Sequence, residues 1–195
     1  MTLHKIDLSN FDNNFKGRSS YINEKFSKVL RTICLMKRPK KIVEFGILDG
    51  YSLDCFLEST DDDCEILAYD LFEEFPYNSA KFDSMEKKYD QTRASIRRGN
   101  LFEAHNIFES ESVDIIHIDI ANDGDVYDYC INNLMSKISD SGVMILEGGS
   151  KERDDIEWMI KYNKPKIREV LYRYETEYRI NVFTEFPSLT IITKK

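Results

Sequence analysis

Lys41-Ile-Val-Glu-Phe-Gly46-Ile-Leu-Asp-Gly50-Tyr-Ser52 is the stretch whose reading decides the fold. The apolar residues Ile42, Val43 and Phe45 read as a short buried strand. Gly46 and Gly50 supply the bend that ends it, and a helix begins near Ser52. Strand, glycine turn and helix N-terminus, in that order, form the place where α/β proteins hold a small polar ligand. The glycine spacing narrows the choice of ligand. A dinucleotide site asks for Gly-x-Gly-x-x-Gly, whose middle glycine lets the backbone press against a pyrophosphate. Here the order is Glu44-x-Gly46-x-x-x-Gly50-x-Ser52, with an acid inside the strand and no middle glycine. A nucleoside that carries an amino acid and no phosphate suits it better.

Upstream, residues 1–18 read as irregular, and Ser19 or Ser20 is placed to cap a helix. Ile22, Phe26, Val29, Leu30 and Ile33 recur at helical spacing, and Pro39 ends that stripe. Downstream, strands and helices alternate. Strands are expected over Ile42–Phe45, Glu65–Tyr69, Ala94–Arg97, Val113–Ile120 and Val143–Leu146. Helices are expected over Tyr51–Glu58, roughly Ser79–Asp90, through Val126, Cys130, Leu134 and Ile138, over Asp154–Tyr162, and over Lys166–Tyr174. Val113–Ile120 is near-continuously apolar, as a strand covered on both faces should be. Tyr178–Phe186 and Leu189–Thr193, turned by Pro187, read as a terminal antiparallel pair. The expected architecture is therefore α/β: a Rossmann-like, doubly wound, mostly parallel seven-stranded sheet closed by that pair. One domain is expected over residues 1–195, with an N-terminal segment and helix over 1–38 and the core over 40–195.

Composition narrows the partners. A formal net charge of −8 disfavours a nucleic-acid partner, which needs a basic face. No apolar run approaches the roughly 20 residues of a membrane span, and the first residues lack the apolar core of a signal peptide. Cys34, Cys55, Cys64 and Cys130 form no Cys-x-x-Cys pair and read as reduced thiols of a cytoplasmic protein. His4, His105 and His117 lack the spacing of zinc ligands. A homodimer is compatible with such a chain.

Open α/β sheets bind ligands beyond the carboxyl ends of their strands. Those ends carry Gly46, Asp70, Asn100, Asp119 and Glu147. Gly46 and Gly50 allow a close approach to backbone. Glu44 is available to loop amides or a ligand ammonium, and Ser52 to a helix cap or a ligand carboxylate. Asp70 is placed to accept two ribose hydroxyls, and Asn100 to meet an adenine edge. Together they describe a site for S-adenosylmethionine. Asp119 is the first candidate for a general base or metal ligand. His117, on the same strand face but deeper, and Glu147, at the end of the neighbouring strand, are the other catalytic candidates. Asp119 and Glu147 are also the two acids that would share a magnesium ion, with Asp123 and Asp125 as further carboxylates nearby.

At this point the chain resembles the class I S-adenosylmethionine-dependent methyltransferases, from about Lys40 to Lys195. Asp70-Leu-Phe72-Glu-Glu-Phe-Pro76 and Ile-His117-Ile-Asp119 resemble segments of the macrocin O-methyltransferase group. The Glu44-to-Ser52 motif is similar to that of catechol O-methyltransferases. The resemblance implies methylation of a small-molecule hydroxyl on a sugar or natural product, often with magnesium. That group places two consecutive acids, or Asp-Asn, after the fifth strand. This chain has Glu147-Gly148-Gly149, so one acid of a metal triad has no counterpart. The alternative is a methyltransferase fold that serves partner binding or assembly without catalysis.

Overall fold

Val113–Ile118 forms the central strand, β4, of a seven-stranded sheet in a computed structural model that describes residues 15–21, 24–76 and 78–195. In chain order the elements are α1 (Glu24–Lys37), β1 (Lys41–Phe45), α2 (Tyr51–Ser59), β2 (Glu65–Asp70), α3 (Phe82–Tyr89), β3 (Ala94–Arg98), β4, α4 (Gly124–Leu134) and β5 (Ile138–Glu147). The short helices α5 (Lys151–Asp154), α6 (Glu157–Lys161) and α7 (Ile167–Tyr174) follow, then β6 (Tyr178–Phe183) and β7 (Leu189–Lys194). The strands lie in the order β3-β2-β1-β4-β5-β7-β6. The first five run parallel. β7 inserts antiparallel between β5 and β6, so the terminal pair extends the sheet instead of capping it.

The strand period of two divides the core between the faces. Val43, Phe45, Ile116, Ile118 and Met144 pack on one side with α4 and α7. Ile42, Ile66, Ile115, Val143 and Ile145 pack on the other with α1 and α2. Glu44 and His117, in register on adjacent strands, fall on this second face, beneath α2. All four cysteines are free and buried. No described helix is long and apolar enough to cross a membrane.

Several boundaries differ from the sequence expectation, each for a local reason. β4 ends at Ile118, and the Asp119 amide makes the last bond to β1, donating to the Phe45 carbonyl at 2.9 Å. β5 begins at Ile138, not Val143, because Ile138 pairs with Val113. α4 accordingly gives way to a 3-10 turn over Met135–Lys137. The helix expected over Asp154–Tyr162 is two helices. Asp154 turns its carboxylate away to accept the Ile167 and Arg168 amides at 2.8 and 3.2 Å. Ser19 and Ser20 precede α1, whose first-turn capping lies outside the described residues. The Ser19 hydroxyl accepts from the Tyr21 amide and the Ser20 hydroxyl bonds Asp119. Ile22 and most of the irregular N-terminal segment lie outside the described residues.

Ile116 is fully buried at the centre of β4. Ile116→Ala is expected to lower stability by about 3 kcal/mol, read as a shift of the urea midpoint with unchanged slope.

Candidate active site

The parallel strands end on one rim, and a cavity of about 510 Å3 opens there. Gly46, Asp70, Asn100 and Asp119, expected from sequence to bind one ligand, all line it. Gly46 has φ +93°, a conformation glycine adopts freely, and a Cβ at this position would lie 2.0 Å from the Asp119 carbonyl oxygen. Only glycine lets the β1 and β4 loops cross this closely. Gly50, at φ +87°, meets a similar constraint: a Cβ there would strike the Tyr89 hydroxyl, which donates to the Gly50 carbonyl at 3.0 Å.

Asp70 is held firmly. Its Oδ2 accepts the Ile47 amide at 2.8 Å, and its Oδ1 accepts the Phe72 amide at 2.8 Å and the Asn78 side chain at 2.5 Å. A carboxylate has about four acceptor positions, so three partners orient it and leave capacity for a ligand hydroxyl. Asn100 caps the following 3-10 turn through the Phe102 amide at 3.1 Å, and its side-chain N–H donors remain at the cavity wall. Phe45, Tyr69, Leu101, Phe102, Ile120 and Val126 make much of the remaining wall apolar. Such a cavity suits the flat rings and diol of a nucleoside. The donor set therefore fits the nucleoside part of S-adenosylmethionine.

Glu44 and Ser52 serve from below and beside this cavity. The Ser52 hydroxyl donates to Glu44 Oε1, which is also 2.9 Å from His117 Nδ1. His117 Nε2 in turn lies 3.0 Å from the Tyr21 hydroxyl. His117 is fully buried with both ring nitrogens engaged and does not line the cavity. It sits one layer under the rim because its side chain points to the α2 face. That geometry places it under the glycine loop and away from the cavity wall.

Glu147 also differs from its expected setting. Arg153 clasps it with two bonds, Nε to Oε1 at 2.7 Å and Nη2 to Oε2 at 3.0 Å. The same guanidinium reaches the Asn122 carbonyl and lies 5.4 Å from the centre of the Trp158 ring. Both oxygens of Glu147 are thus committed to a cation already. The paired-carboxylate magnesium site expected at Asp119 and Glu147 does not fit this arrangement, and no group of three or more metal-ligating side chains occurs among the described residues. Asp123 caps α4 and pairs with Lys164 at 2.9 Å, while Asp125 lines the cavity. Sequence reading missed Arg153, although a buried Glu147 demands a cation and the basic residues after it were the available ones. It also missed the strap of residues 15–21, which has no periodic signal.

Asp119 is half-buried. Burial raises its carboxyl above the usual carboxylate range, partly offset by His117 and then by the hydrogen bond from Ser20. Burial likewise pushes Glu147 up to about 7, against the pull of Arg153 and with the Asp119 charge adding to the rise.

The chain matches a family described as a methyltransferase domain over residues 43–147, more than half its length. It belongs to that family and is thereby a class I S-adenosylmethionine-dependent methyltransferase by fold and motif. No curated protein matches it in sequence. Solved structures share the fold. One is the S-adenosylhomocysteine-bound methyltransferase PaMTH1 of Podospora anserina, at 18% identity and TM-score 0.66, covering 89% of this chain and 79% of that one. Another is the O-methyltransferase TomG of Streptomyces achromogenes, involved in tomaymycin synthesis and solved with S-adenosylmethionine, at 12% identity and TM-score 0.66, covering 89% and 81%. A third is a Bacillus cereus O-methyltransferase with S-adenosylhomocysteine, at 14% identity and TM-score 0.66, covering 91% and 84%.

The raised Glu147 carboxyl has a signed consequence for stability. Its folded pKa near 7 lies above its ordinary value of 4.5, so the folded chain holds the extra proton between those limits. Stability is expected to rise as pH falls from 7.5 to 5.5. Glu147→Gln should flatten that rise while lowering stability at both pH values, measured by urea unfolding.

Proposed function

We propose that this chain binds S-adenosylmethionine and transfers its methyl group to a hydroxyl of a small molecule. The observation that carries the proposal is the convergence of Gly46, Asp70, Asn100 and Asp119 on one cavity wall from four different strand ends. Neighbouring folds solved with S-adenosylmethionine or S-adenosylhomocysteine support the cofactor, and neighbours named O-methyltransferases support the acceptor atom.

Bound S-adenosylmethionine supplies an already activated methyl on its sulfonium sulfur. What remains for the protein is to align the acceptor oxygen, exclude water and take one proton. Asp70, fixed by three donors, orients the ribose. Asn100 and the apolar wall hold the base. Asp119 is the group best placed to accept the acceptor's proton. Its position on the rim and the upward push of burial on its carboxyl favour that role. Glu147 is held by Arg153 and feels the Asp119 charge, and His117 belongs to the polar chain under the glycine loop. No step passes through a metal, since the carboxylate that would share it is held by Arg153. Sugar or natural-product hydroxyls remain the acceptor class proposed here.

Titration calorimetry with S-adenosylhomocysteine tests the reading. Asp70→Asn removes the ribose acceptor and loosens the Ile47 turn, and is expected to weaken binding by about a hundredfold. Undetectable binding to the unaltered chain would refute the proposal. In a tritiated-methyl assay over a panel of hydroxylated acceptors, Asp119→Asn should lower kcat at saturating cofactor by at least about a hundredfold. Cofactor binding without turnover of any acceptor would favour the non-catalytic, partner-binding alternative.

A further inference from the structure

The sheet has two edges, and they are finished differently. β3 closes one. It ends in Arg97 and Arg98, of which Arg98 pairs with Glu73 at 3.1 Å and Arg97 reaches the Tyr69 hydroxyl at 3.4 Å. β6 closes the other, and its register with β7 runs without a shift from Tyr178 opposite Lys194 to Phe183 opposite Leu189. Proteins guard an edge strand with proline, lysine, a bulge or a covering element. β6 has no proline, no lysine and no bulge. Among the described residues, no backbone hydrogen bond ties its outer side to another segment. In an antiparallel strand alternate residues turn N–H and C=O away from the partner, so this outer side is a row of open donors and acceptors.

The side chains of β6 sort by the strand period. Tyr178, Ile180 and Val182 are half-buried against the core on the α7 side of the sheet. Arg179, Asn181 and Phe183 are exposed on the other face. Phe186, just beyond the strand, is exposed as well. Among the described residues Arg179 has no acidic partner.

An open ladder calls for another strand, and the sequence of β6 is complementary to itself. A two-fold axis through Asn181, perpendicular to the sheet, lays a second β6 antiparallel to the first. Arg179 then opposes the partner's Phe183, a guanidinium against an aromatic ring. Ile180 opposes the partner's Val182, and the two Asn181 amides meet at the axis, where each can donate to the other. An axis at Ile180 would instead set the acid Glu177 against Phe183. Pairing β6 with β3 of another copy would bring Arg179 to an edge that already holds two guanidiniums. It would also build an open chain of molecules instead of a closed pair.

We propose that β6 is a self-association edge: two copies join β6 to β6 about a two-fold axis at Asn181, and one sheet runs through both. The proposal is independent of the cofactor reading. A single pair of strands is a small interface, so the dimer is reversible, with a dissociation constant of about 10–100 µM.

Sedimentation of the whole chain between about 5 and 500 µM tests this, and the unaltered protein should pass from monomer to dimer over that range. Phe183→Lys sets like charges opposite Arg179 and should weaken association by at least about tenfold. Crosslinking reads the register. The four native cysteines are buried, so the thiol of an Asn181→Cys chain is the accessible one. Directly opposed strand residues stand about 4.5–5.5 Å apart at Cα, within reach of a disulfide. Asn181→Cys should therefore give a covalent dimer under mild oxidant, whereas Arg179→Cys, which faces Phe183, should not. An unaltered chain that stays monomeric at the highest concentration, or that grows beyond two copies, would overturn the proposal. So would equal crosslinking at the two positions, or a dimer that Phe183→Lys leaves unweakened. Should Phe183→Lys fail to fold, the unaltered chain and the two cysteine variants still decide the matter.

Discussion

Two backbones cross closely on the rim. Gly46 leaves β1 with its amide on the Tyr69 carbonyl at 2.9 Å, and the Asp119 amide donates to Phe45 at 2.9 Å. Between them there is no room for a side chain at position 46. That contact joins the ends of β2, β1 and β4 into a fixed corner. The cavity opens beside it, Asp70 and Asp119 are set on its wall, and the glycine loop starts from it. A larger residue would have to push the β4 loop outward, and the wall would separate at the point where its two acids are held.

Beneath the corner, polar groups are buried in connected chains. Ser52, Glu44, His117 and Tyr21 form one, linking α2, β1, β4 and the strap. Arg153, Glu147 and the Asn122 carbonyl form another beyond β5, and Asn122 also donates to the Ile118 and Glu147 carbonyls. Buried charges of this kind add little net stability but are costly to break, because removing one partner strands the other in a dry interior. They tie Glu147 and His117 to buried partners of their own.

The sheet was legible because its evidence is periodic. Four apolar runs ending in glycine or acid, with a weaker strand at Ala94–Arg97 and helices between, admit few topologies, and Val113–Ile118 marks its own central place. The wall residues Gly46, Asp70, Asn100 and Asp119 were legible for the same reason, since topology brings strand ends together whatever the details of packing. The roles of Glu147 and His117 were not. Strand position reports that a residue is near the rim but not whether a neighbour has already claimed it, and the neighbour of Glu147 lies on a helix with no pattern of its own. The break at Asp155 was hidden similarly, because Asp154 is drawn off by amides from a later helix. The strap was invisible for another reason. Arg18 and Ser20 gain meaning only from residues distant in the chain, Asp49 and Asp119.

The four cysteines carry a practical consequence. Each thiol is buried, and burial pushes Cys34 and Cys55 up to about 12 and raises Cys64 and Cys130 as well. A sulfur that neither ionises nor meets solvent is inert toward alkylating reagents while the fold is closed. Cys34 and Cys55 lie on α1 and α2, Cys64 just ahead of β2, and Cys130 on α4 across the sheet. The molecule therefore holds its own reporters of local opening, and the order in which they become reactive under mild denaturant would map which layer gives way first.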